Sequence, residues 1–118
     1  MKMLTKEQIL SSKDLVEEVV DCPEWDGAVK VRALSLAKRN AIAIGAKDMQ
    51  TDKLDLEKFQ LLTFIECVIE PKFTVADYGS LKEKSAAVVE RVINRVYAIS
   101  ELHKVEEIKN VSGVTPTA

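Results

Sequence analysis

The chain has 118 residues, 47% of them hydrophobic and 31% charged, and its 17 basic and 19 acidic side chains give a net charge of −2. That is enough chain for one globular domain with a buried core and no metal or disulfide support. The balance of charge excludes the basic excess on which nucleic-acid binders and polybasic membrane-surface domains depend.

Taken in chain order, Thr5-Lys-Glu-Gln8 has the form of a capping box opening a short helix, Lys6 to about Ser12, with Ile9 and Leu10 as its apolar contacts. A helix this short is not stable alone and is expected to dock. From Leu15 the period changes. Val16, Val19 and Val20 alternate with acids, and after the turn Pro23-Glu24-Trp25-Asp26-Gly27 the residues Val29 and Val31 alternate with Lys30 and Arg32. This predicts an antiparallel hairpin over about Val16–Ala33, with proline starting the turn and Gly27 supplying a positive φ. Val19, Val29 and Val31 are expected to face inward, and the acids of the first strand to meet Lys30 and Arg32 across it. No other strand is visible for the hairpin to join.

Leu34, Ala37, Ala41 and Ile44 then fall at helical spacing, with Ser35 to cap and Gly45 to stop. The acids Asp52, Asp55 and Glu57 suit a helix N-terminus. Leu54–Ile69 is the most apolar segment, with Phe59, Leu62, Ile65 and Val68 in a stripe that Leu61 and Phe64 widen, which implies burial on more than one side. Pro71 ends it. A short helical turn is expected at Val75–Tyr78. Ser80-Leu-Lys-Glu83 resembles a second capping box, opening a long helix to Leu102 with Val88, Val89, Val92, Ile93 and Val96 on its inner face. Glu90, Arg91, Asn94 and Arg95 form its solvent face. Val105 and Ile108 extend it weakly, and Val111–Ala118 reads as a flexible tail. The expectation is an α+β fold: a single, mostly α-helical domain over residues 1–110 with one N-terminal antiparallel β-hairpin, then the tail 111–118. The predicted core is Phe59, Leu62, Ile65, Val89, Val92, Ile93 and Val96.

Catalytic chemistry is not apparent. His103 is the only histidine and stands among charged neighbours near a helix end. Cys22 and Cys67 lack CxxC spacing. A disulfide between them is one reading, and two reduced, buried thiols are the simpler one. None of the four glycines builds a phosphate-cradling loop. No catalytic residue, metal ligand or cofactor site is assigned, and an enzyme is not expected. No apolar run is long enough to span a bilayer, and MKMLTKEQIL lacks the apolar stretch of a secretory signal, so the cytoplasm is the expected compartment.

The order of a first helix KEQIL, a valine-rich strand, the turn CPEWDG, a second strand VKVRAL and then helices resembles the tail assembly chaperones of long-tailed bacteriophages and prophages, in particular the XkdN-like group. KEQILSSKDLVEEVVDCPEWDGAVKVRALS carries most of the likeness, and the Tyr78-Gly79 turn and VYAISEL are compatible with it. Lys38-Arg39-Asn40 departs from it, since an acidic residue is expected beside that arginine. The resemblance implies a protein of the bacterial host's cytoplasm that binds the phage tape-measure protein and keeps it soluble until tail-tube subunits replace it. The tail-tube protein is a further partner, self-association is expected without client, and neither nucleic acid nor membrane is a partner. A structural minor tail or connector component is the alternative. The candidate contact residues are Trp25, Phe59, Phe64 and Tyr97. The contact surface is expected on whatever the Leu54–Ile69 and Ser80–Leu102 stripes leave uncovered. Trp25 is weighted toward folding back over the core edge.

Overall fold

The computed structural model describes residues 2–102, which form five α-helices and a three-stranded antiparallel sheet of order β1-β2-β3. The elements are α1 (Lys6–Ser11), β1 (Glu17–Cys22), β2 (Gly27–Arg32), α2 (Leu36–Gly45), α3 (Leu56–Cys67), β3 (Val68–Glu70), α4 (Tyr78–Lys82) and α5 (Ala86–Ile99). The fold is the α+β arrangement expected, with the hairpin near the N-terminus. His103, the extension through Val105 and Ile108, and the 111–118 tail lie outside the described residues. No helix among those described is long and apolar enough to cross a membrane.

The hairpin pairs Glu17 with Arg32 through to Cys22 with Gly27. Its third strand is a finding beyond the sequence reading: Val31 faces Val68 and Lys30 faces Glu70, with a register irregularity between them. Leu54–Ile69 is therefore not all helix. Asp55 caps α3 with a bond from the Lys58 N–H, and the helix stops at Cys67, where the β-branched pair Val68-Ile69 crosses into the sheet. The positive φ of the turn belongs to Asp26, at 59°, while Gly27 opens β2. Aspartate tolerates the left-handed region better than most residues, so the glycine is not needed there.

Inward on the sheet are Val20, Cys22, Val29 and Val31; Val19 points out and is 63% exposed. The expected facing of Val19 is thus corrected by one residue, and with period 2 that reverses the face. The long helix expected from Ser80 is two. Ser80 lies inside α4, Glu83 closes it, and Ser85 occupies the cap position of α5. The expected second capping box does not form. The inner stripe of α5, from Val88 to Val96, is buried as expected.

The α2 stripe is also rotated. Ile42, Ala43 and Ala46 are buried, while Ala37, Ala41 and Ile44 face solvent. Alanine at both kinds of position made the face ambiguous, and contact with α3 decides it: a Cβ on Gly45 would stand 3.3 Å from Leu62 Cδ1. Leu62 is half-buried, and the rest of the predicted core is buried. α3 is flanked by two clusters, one with the sheet and α5 through Phe64 and Ile65, the other with α2 through Phe59. That is why it is apolar on more than one side. Both cysteines are free and buried.

Candidate partner-binding surface

The four aromatics expected to contact a partner do not form one surface. Phe59 and Phe64 are fully buried, at 0% exposure. Phe64 sits under Trp25 in an edge-to-face pair, centroids 6.3 Å apart at 82°, and against Phe73 at 5.3 Å. Phe59 packs on Tyr97 at 6.4 Å. In this fold Phe59 and Phe64 are core, not contact residues, because α3 is covered on both sides. Trp25 and Tyr97 are half-buried. Trp25 folds back over the core edge, held by the 3₁₀ turn Pro23–Trp25.

Two ion pairs seat the hairpin on α5. Arg91 donates to both carboxylate oxygens of Glu24, at 2.8 and 2.7 Å, and Arg95 to both of Glu18, at 2.6 and 2.8 Å. The arginines are one helical turn apart, so a single face of α5 reaches the tip and the root of the hairpin. They were expected to face solvent. The signal was two arginines at i, i+4 matched by one acid on the first strand, Glu18, and one in the turn, Glu24. Glu17 stays on the outer face with Arg32 at 2.7 Å and Lys30 at 3.7 Å, the expected cross-strand pairing. The bonds to Arg91, Arg95 and Arg32 hold the carboxyls of Glu24, Glu18 and Glu17 below the usual range, Glu24 at about 2.

Burial pushes the Cys67 thiol up to about 12 and the Tyr97 hydroxyl to about 12. Neither is disposed to ionise near neutral pH. Among the described residues no group of three or more His, Cys, Asp or Glu side chains is placed to hold a metal.

The apolar surface left over lies where it was not expected. α1 forms with its capping box complete, Gln8 N–H donating to Thr5 Oγ1 at 3.2 Å and Thr5 N–H to Gln8 Oε1 at 2.9 Å, yet it buries no residue. Met3, Leu4, Ile9, Leu10, Leu15, Val16 and Val19 are all exposed. Only Leu36, Ile44, Met49, Leu56 and Val75 join them among the exposed large apolar side chains described, so the first stretch of chain holds seven of twelve. The stripes of α3 and α5, by contrast, are spent on the core. Comparison of the chain with protein-family models, with curated proteins and with solved structures finds no match.

Proposed function

We propose that the protein is a phage or prophage tail assembly chaperone that works in the bacterial cytoplasm, binding the tape-measure protein and keeping it soluble during tail assembly. The observation that carries this reading is the N-terminal arm, residues 2–16. A helix with its N-terminal capping box complete and none of its residues buried, followed by exposed Leu15 and Val16, is apolar surface offered to something else. Ile9 and Leu10 on α1, with Met3 and Leu4 before it, present adjacent apolar side chains of the kind that take up the apolar stripe of an amphipathic helix. A long helical client offers that stripe repeatedly. The body behind the arm, with its two buried clusters and its hairpin fastened to α5, is a rigid mount.

Co-expression with the tape-measure protein of the same phage tests this. The chaperone reading expects a higher soluble yield of that protein and a co-purifying complex. An equally insoluble tape-measure protein, with no complex captured, contradicts it. The open edge of β1 favours a second reading, a minor tail or connector subunit joined to its neighbours by strand addition. Mass spectrometry of mature particles separates the two: a chaperone is absent from them and a connector is present.

A further inference from the structure

The geometry points to the outer edge of β1 as a docking strand for an extended segment of another protein with the pattern cation–x–apolar–x–cation. This inference holds for either reading of the function. β1 is an edge of the sheet, and the Ala33 N–H donates to the Val16 carbonyl at 2.8 Å. That bond fixes the alternation along the pair. Val16, Glu18, Val20 and Cys22 turn their backbone groups toward β2, and Glu17, Val19 and Asp21 turn theirs to the open side. The side chains of the same three residues stand together on the uncovered outer face. No proline interrupts them. The opposite edge, β3, has three residues and meets Pro71. Only β1 offers a template of useful length.

Its charge selects the occupant. Between Asp14 and Val29 the chain carries six carboxylates and no cation. Glu17, Glu18 and Glu24 are held by Arg32, Arg95 and Arg91, whereas Asp14, Asp21 and Asp26 make no ion pair among the described residues. A second copy is a poor fit. Two copies joined edge to edge about a two-fold axis use all three open residues only when Val19 faces Val19. That register sets Glu17 of each copy opposite Asp21 of the other, twice, and like charges directly opposite are destabilising. An incoming strand with an apolar residue opposite Val19, a cation opposite the unpaired Asp21 and a second cation sharing Glu17 with Arg32 and Lys30 avoids that repulsion.

The test uses the full chain, isotopically labelled, and the capped peptide Thr-Lys-Thr-Val-Thr-Lys-Thr. The peptide is expected to slow amide exchange at Glu17, Val19 and Asp21 by roughly tenfold at about ten times its Kd. The amides of Glu18, Val20 and Cys22, already bonded to β2, should change little. Asp21→Lys, at an exposed position without an ion pair, should weaken the peptide about tenfold while tryptophan fluorescence stays native. Unchanged exchange at the three amides overturns the proposal. So does equal protection by the peptide with Glu in place of Lys. Protection of these amides that rises with the protein's own concentration assigns the edge to a second copy and overturns it as well.

Discussion

Trp25 is the only tryptophan, and its ring lies edge-on to Phe64 at the margin of the larger core cluster. Trp25→Ala should cost about 2–3 kcal/mol in urea unfolding, less than a fully buried indole because one side of the ring meets solvent. Its emission should be blue-shifted and only partly accessible to quenchers, since the ring is half-buried; a red-shifted, freely quenched signal would mean the ring does not fold back. The titrating groups set a second expectation. The carboxyls of Glu17, Glu18 and Glu24 bind protons less readily folded than unfolded, Glu24 at about 2 against an ordinary 4.5. Their contribution is complete above about pH 4.5 and is lost as pH falls toward 2. The Cys67 and Tyr97 groups run the other way. Both are raised to about 12, from ordinary values of 9.0 and 10.0, so stability they favour is present below pH 9 and is lost as pH climbs toward 12. Urea midpoints across pH should therefore show a plateau between about 5 and 9 with a fall on each side. A midpoint that keeps rising below pH 4 would contradict the acid limb.

At the scale of elements, the hairpin turns on which valine of an adjacent pair goes in. Val20, at 6% exposure, should tolerate lysine badly, losing several kcal/mol for a buried unpaired charge. Val19→Lys should change stability by less than about 1 kcal/mol. Equal effects would place the strand in the wrong register. The same pair shows how far the residues alone carry. The alternation of Val29 and Val31 made β2 plain, but Val19-Val20 gives two valines to one inward position, and only pairing with Val29 decides between them. β3 was hidden because Val68-Ile69 continues the apolar run of α3 without a break, and its partner strand is far away in sequence. α4 and α5 merged in the reading because Glu83-Lys84-Ser85 is as polar as a helix surface. Caps were legible in part, since a cap is a contact between residues three apart: Thr5 with Gln8 and Ser35 with Lys38 form, whereas the box expected at Ser80–Glu83 falls inside α4 and does not. Contact residues were the least legible. An aromatic in a sequence does not say whether its neighbours will cover it, and Phe59 and Phe64 lie on a helix covered on both flanks.

For the whole molecule, the division of labour is between a body that spends its apolar residues on two packed clusters and an arm that spends none. On the proposed reading the arm serves client contact, and because none of its residues is buried its loss should leave the body intact. Because the surface is apolar and the net charge is only −2, raising salt should loosen the complex little. The most direct measurement compares the full chain with one lacking residues 2–12, each co-expressed with the tape-measure protein of the proposed reading, scoring soluble complex and the thermal midpoint of the free protein. The account predicts that the shortened chain melts within a few degrees of the full one and captures little or no tape-measure protein. Undiminished capture by the shortened chain would contradict it, because the arm would then not be the surface that holds the client.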